Sequence, residues 1–209
     1  LASIKPRLRA LILEGEGLWQ RPPVQENTVA CAVCHFDAAK IRGWAASFPK
    51  VKPMPPPFTR VMTLQQAVGE AATKHYRIPP GDQNRRVAAA IAAYLSWVGE
   101  GLPLTPGTAW DQPRFPDRLS ALEASIGRGR DRVRGACTGC HRDATALAGA
   151  APGFPRVAGG GEAVVTMEEF LERHAGLAWH GAEAAEVVAY LAAQAGGRPL
   201  RPGGSRDSR

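Results

Sequence analysis

The sequence predicts an all-α chain made of two tandem copies of one helical unit, and three observations carry that expectation. No stretch alternates apolar and polar residues as a half-buried strand would, whereas several segments repeat apolar residues every three or four positions. Cys-x-x-Cys-His occurs twice, at residues 31–35 and 137–141, and the two copies use all four cysteines in the chain. Other landmarks recur in the same order. Phe48-Pro49-Lys50-Val51 returns 106 positions later as Phe154-Pro155-Arg156-Val157, the same offset as the cysteine motifs. Thr63-Leu64-Gln65-Gln66 returns 103 later as Thr166-Met167-Glu168-Glu169, and Ala93-Tyr94-Leu95 returns 96 later as Ala189-Tyr190-Leu191. Shrinking offsets in a fixed order describe two homologous halves, the second of them shortened.

Residues 8–19 carry apolar side chains at helical spacing, as do residues 119–133, and each segment leads toward a cysteine motif. Thr63 and Thr166 each begin a Thr-x-x-Gln/Glu pattern, a capping box in which the hydroxyl and the amide or carboxylate satisfy free N–H groups at a helix start. Pro79-Pro80-Gly81-Asp82 stops one helix and supplies a cap for the next. Val87, Ile91, Tyr94, Leu95 and Val98 make an apolar stripe in the last helix of the first half, echoed by Val187, Val188 and Leu191. Proline and glycine crowd residues 99–117, leaving little room for regular structure. The expected division is an N-terminal domain at 1–102, a linker at 103–117, a C-terminal domain at 118–197, and a disordered basic tail at 198–209.

Cys-x-x-Cys-His is the pattern of covalent haem attachment: two thiols form thioethers to the haem vinyl groups and the histidine takes one axial side of the iron. A structural zinc site needs four ligands converging on one metal, with histidine spaced well beyond the second cysteine. A thioredoxin-like pair carries no fixed following histidine. Two covalently attached c-type haems are therefore expected, one on Cys31, Cys34 and His35, the other on Cys137, Cys140 and His141. Each half then reads as a class-I-like cytochrome c domain, short for a domain but of the right size for one haem.

The opposite axial position decides the potential, because a thioether raises it and a second imidazole lowers it. His75 and His174 are the expected ligands. They lie 12 and 8 residues after Thr63 and Thr166, a difference of about one helical turn, and each follows a basic residue. Met54, in Pro53-Met54-Pro55-Pro56, is the alternative for the first haem, and Met167 for the second. Met62 and Met167 read more simply as core residues, and His180 as a surface residue near a helix start.

The formal charge is +7, lowered by haem propionates in the loaded protein. Arg128, Arg130, Arg132 and Arg134 precede the second motif. An ordinary solvated helix face accounts for them more simply than a docking patch for an acidic partner. No nucleic-acid motif accompanies the charge. No run of 18 apolar residues predicts a membrane span. The chain opens without a basic start and apolar core, and c-type haem is attached outside the cytoplasm; the expectation is a mature, exported, periplasmic protein.

The two haem halves, the Phe-Pro-x-Val and Thr-Leu/Met-Gln/Glu-Gln/Glu runs, the Ala-Tyr-Leu helix and Gly101-Leu102-Pro103-Leu104 together resemble SoxA. That is the dihaem subunit of the periplasmic thiosulfate-oxidising system. The resemblance implies a partner, a smaller monohaem cytochrome c, and a cysteine as distal ligand that carries sulfur as a persulfide. By the repeat register that cysteine would fall near Ala71 in the first half and His174 in the second, and neither is cysteine. What remains is an electron carrier in or near thiosulfate oxidation, serving redox protein partners, with His/His coordination at least at the second haem. The alternative is a haem enzyme acting on a sulfur oxyanion or peroxide, with Arg142, Lys50 or Arg156 lining an anion site. Trp19, Trp44, Trp110 and Trp179 are expected to pack around the haems.

Overall fold

The computed structural model describes residues 4–204 except 25, 27, 54–58, 108–115, 142–143 and 158–162. The first half runs α1 (Pro6–Gln20), α2 (Cys31–Cys34), α3 (Ala38–Arg42), α4 (Trp44–Ser47), β1 (Lys50–Pro53), β2 (Thr59–Met62), α5 (Leu64–His75) and α6 (Asp82–Val98). The second runs α7 (Pro116–Arg132), a π-helical turn (Val133–Cys137), α8 (Ala144–Ala150), a 3-10 turn (Ala151–Gly153), β3 (Arg156–Val157), β4 (Val164–Val165), α9 (Met167–Ala175) and α10 (Ala182–Gln194). Helix dominates, as the fold class requires.

In each half the first helix crosses the last. Helix α1 starts on proline, whose missing N–H is no loss at a position without an intrahelical partner. It buries Leu8, Ile12, Gly15 and Trp19, steps of four, three and four that keep one face toward α6. At the crossing Gly15 has no side chain to spare: a Cβ there would fall on the Ala90 carbonyl and lie 2.9 Å from Tyr94 Cβ. The crossing of α7 and α10 repeats the device, with Gly129 against the Glu186 carbonyl and 3.0 Å from Tyr190 Cβ. Arg128 and Arg132 of α7 bind Glu186, itself nearly buried, through Nε at 2.5 and 3.0 Å, and Arg132 reaches Glu183 at 2.8 Å. Those arginines tie α7 to α10, and Arg130 pairs with Asp131 at 3.2 Å.

Both capping boxes form. The Thr63 hydroxyl accepts the Gln66 N–H and the Gln66 side chain accepts the Thr63 N–H; Thr166 and Glu169 do the same. The caps share nearly one backbone geometry, φ −76° and ψ 168° against φ −78° and ψ 170°, so α5 and α9 are counted from a common origin. Both Phe-Pro bonds, Phe48-Pro49 and Phe154-Pro155, are cis.

The sequence reading is corrected at two places. Two antiparallel pairs, β1 with β2 and β3 with β4, stand where no strand was expected, because runs of four and two residues are too short to show alternation. They are exchanged between the halves. Val51 and Val61 pack with Leu122 and Ala189 of α7 and α10, while Val157 and Val164 pack on the core built around α1 and α6. Within the Pro79–Asp82 stop, Gly81 occupies the cap of α6 at φ 154°, a conformation that favours glycine, and Asp82 is the first helical residue. The basic tail, expected to be disordered from 198, is held in place through 204. The Leu200 N–H donates to the Leu102 carbonyl, Arg201 N–H to Pro152 and Gly203 N–H to Pro155, and Leu200 is buried. These are backbone bonds, which composition does not encode; residues 205–209 lie outside the described residues.

The halves meet through the starts of α5 and α9. The Thr166 hydroxyl bonds Gln65 Oε1 at 2.6 Å, and Gln66 Nε2 donates to the Trp179 and Gly181 carbonyls at 2.8 and 3.0 Å. Arg85 pairs with Glu169 and Glu172. Glu168, buried beside the Thr63 and Thr166 side chains, lines an interlobe cavity of about 90 Å³ together with Gln65. Its carboxyl is pushed above the usual carboxylate range by loss of water, against the opposing pull of the threonine hydroxyls.

Candidate haem-attachment sites

Both cysteine motifs fold into a single turn closed by one bond. The His35 N–H donates to the Cys31 carbonyl at 2.9 Å, and the His141 N–H to the Cys137 carbonyl at 2.8 Å. Within a turn, positions i, i+3 and i+4 share a face, so each motif presents two thiols and an imidazole on one side. This is the physical reason the spacing suits a flat macrocycle bonded at two points and ligated at its centre. None of the four cysteines is in a disulfide; Cys31 and Cys137 are half-buried, Cys34 and Cys140 exposed.

The inner cysteine of each motif sits at the edge of a core. Cys31 packs on the cluster that holds Trp19, Ile41 and Tyr94, and Cys137 on the cluster that holds Val133, Phe154 and Leu171. Burial raises the pKa of both thiols. Tyr76, fully buried, brings its hydroxyl to 3.0 Å from Cys31 Sγ while donating to the Leu18 carbonyl at 2.5 Å. Burial pushes the tyrosine's own pKa upward, keeping it a neutral donor. No sequence signal pointed to Tyr76, which reaches a cysteine 45 positions away. Before Cys137 the helix widens into the π-helical turn, and the Thr138 hydroxyl donates back to the Arg134 carbonyl at 2.6 Å.

The histidines differ between the halves. The His141 and His174 rings face each other at 5.8 Å between centroids, with an interplanar angle of 56°. Two imidazoles bound to one iron, each nitrogen about 2 Å from the metal, place their centroids about 6 Å apart. His174 in turn stacks on Phe170 at 5.1 Å and 15°. Arg156 lies over Phe170 and Phe154 at 5.3 and 4.5 Å. His35 is exposed and packs edge-on against Trp44 at 4.7 Å, with Trp19 at 6.0 Å.

His75 is not brought to His35 in this way. It is the exposed last residue of α5, its carbonyl accepts the Val29 N–H at 3.2 Å, and among the described residues no ring contact joins it to His35. Counted from the two caps, the partner of His174 is Ala71, and the partner of Phe170 is Ala67. Met167 is buried in the second core at the first position of α9, seven residues or about 10 Å of helix before His174. Met62 is buried and His180 is exposed beside Trp179. Met54 and Arg142 lie outside the described residues. Lys50 is engaged by Ser47 Oγ at 3.1 Å and by the Phe48 ring. No helix among the described residues is long and apolar enough to cross a membrane.

The residues present fit covalent c-type haem. Each motif offers both thiols and an imidazole on one face, the inner thiol against a core and the outer one open. Beside the first motif Val33 and Phe36 leave 65% and 82% of their surface exposed, apolar area suited to a macrocycle.

Three comparisons bear on the family. Residues 14–104 match the family model for the SoxA/TsdA cytochrome c domain. The fold superposes on the crystal structure of SoxXA from P. pantotrophus with a TM-score of 0.71 at 16% identity, covering 93% of this chain and 76% of that one. No curated protein matches the chain. With its attachment turns, crossing helices and capped helices in place, the chain shares the fold of SoxXA, and its residues 14–104 are similar to the SoxA/TsdA cytochrome c domain.

Proposed function

We propose that the chain is an exported dihaem cytochrome c that carries electrons in or near thiosulfate oxidation. Its haem domains are residues 1–102 and 118–197, joined by residues 103–117, and its partner is a small monohaem cytochrome c. Cys31, Cys34 and His35 would hold one haem and Cys137, Cys140 and His141 the other, with His174 as a further imidazole ligand for the second. Bound haem supplies a one-electron couple. The observation that carries this reading is the pairing of His141 with His174. An imidazole on each side leaves no position for a substrate, so the second site stores and passes charge. Phe170 stacks on the His174 ring, and the absence of any cysteine outside the two motifs removes a persulfide carrier. The resemblance to SoxA supports the sulfur-oxidation setting and the export.

Pyridine haemochrome analysis combined with a reductive titration tests this. The expected result is two c-type haems per chain, the second with a low couple typical of two imidazoles. A single haem, or a high methionine-type couple on the second haem, would overturn the reading.

A further inference from the structure

We propose that Tyr76 is the positioning residue of the first haem site: its hydroxyl clamps the Cys31 turn to the end of α1 and lowers that haem's couple. The inference rests on the reading that Cys31 carries a haem, and it adds which side chain of this protein tunes that haem. Tyr76 caps the end of α5, 45 positions from Cys31, with 1% of its surface exposed. Its oxygen lies 2.5 Å from the Leu18 carbonyl, 3.0 Å from Cys31 Sγ and 3.4 Å from the Cys31 backbone nitrogen. A phenol has one proton to give and lone pairs that accept. Of these neighbours the Leu18 carbonyl can only accept and stands nearest, so the proton lies there. The lone pairs are left to the Cys31 N–H and the sulfur. One hydroxyl thus joins the last turn of α1 to the first residue of the attachment turn, whose closing bond runs from the His35 N–H to the Cys31 carbonyl.

When Cys31 adds across a vinyl group, its sulfur bonds one carbon and its proton goes to the other. No electrons are gained or lost, and the sulfur keeps no hydrogen to donate. The tyrosine proton stays on Leu18, so the negative end of the hydroxyl dipole faces the sulfur and the macrocycle bonded to it. In a buried site that dipole is weakly screened and favours the more positive ferric state. It therefore lowers the potential, one of the ways a protein tunes a haem from beyond its ligands. Counted from the caps, the residue matching Tyr76 is Trp179, whose indole donates but cannot accept. Its ring lies 5.6 Å from that of His180 and 6.0 Å from the Arg85 guanidinium. The effect belongs to the first haem alone.

Redox titration of the holoprotein, followed in the visible haem bands, reads the couples, and mass spectrometry of haem peptides shows whether the Cys31–Cys34 turn is loaded. Tyr76→Phe is expected to keep both haems and to raise one couple while the other stays in place. Tyr94→Phe makes the same deletion on a buried ring of the same core, packed on Trp19 at 6.1 Å, and is expected to move neither couple. No shift in Tyr76→Phe, a downward shift, an equal shift of both couples, or the same rise in Tyr94→Phe would overturn the proposal. Loss of the first haem alone in Tyr76→Phe would uphold the clamp, whereas loss of both haems would show a general folding role and overturn it. Two haems with unmoved couples would remove this inference only; a wild-type chain with no haem on the Cys31 turn would remove the proposed function with it.

Discussion

Replacing Gly15 with alanine should destabilise the protein, whereas the same change two residues along the same helix, at Gly17, should stabilise it. A Cβ at Gly15 would lie 2.5 Å from the Ala90 carbonyl carbon and 2.9 Å from Tyr94 Cβ; at Gly17 nothing lies within 4 Å. The Ala90 carbonyl oxygen would lie nearer still to the Gly15 Cβ, at 2.0 Å. Ordinary contact needs about 3.5 Å, so α1 and α6 must part by roughly 1.5 Å, enough to lose about half of each dispersion well along their seam. Leu8, Ile12 and Trp19 meet Val87, Ile91 and Leu95 in that core. Overpacking of this kind costs about 1–3 kcal/mol, against which alanine recovers about 1 kcal/mol of helix propensity. Gly15→Ala should therefore lose up to about 2 kcal/mol, while Gly17→Ala gains up to about 1 kcal/mol. In the second half Gly129 and Gly127 should behave as the same pair, since nothing lies within 4 Å of Gly127. Urea unfolding of the holoprotein, followed by far-ultraviolet circular dichroism, measures both. Equal midpoints for Gly15→Ala and Gly17→Ala would refute the crossing as the organising contact.

Two further outcomes follow from buried polar groups. Glu168 has its pKa raised by burial, so its folded form binds the proton more tightly than its unfolded form. The stability this confers is full below the ordinary value of 4.5 and is lost as pH rises through the folded value. Glu168→Gln should match the wild type near pH 4 and exceed it at pH 7 in urea unfolding; a variant less stable at pH 7 would contradict the sign. Tyr76→Phe keeps the buried ring but leaves the Leu18 carbonyl without its 2.5 Å donor, and should cost about 1–2 kcal/mol. A loss below about 0.3 kcal/mol would show that the hydroxyl bond contributes little.

What the sequence revealed and what it hid divide along physical lines. The haem turns were legible because covalent attachment at two thiols and one imidazole fixes both residue types and spacing over five positions. The caps of α5 and α9 were legible because Thr63 with Gln66 and Thr166 with Glu169 satisfy one another locally. The hairpins were not, since their stability comes from Leu122, Ala189 and the α1 core in the opposite half. Counting from the caps, which the structure shows to be equivalent, sets His174 beside Ala71; matching histidine to histidine had paired it with His75. The anchoring of residues 198–204 depends on carbonyls of Leu102, Pro152 and Pro155, which no pattern within the tail announces.

The central claim is that His141 and His174 share one iron. Low-temperature electron paramagnetic resonance of the ferric holoprotein, recorded for the wild type and for His174→Ala, tests it most directly. The expected result is a low-spin, two-imidazole signal in the wild type that is replaced by a high-spin signal in the variant. A second-haem signal unchanged by the substitution, or one of thioether type from the start, would contradict it.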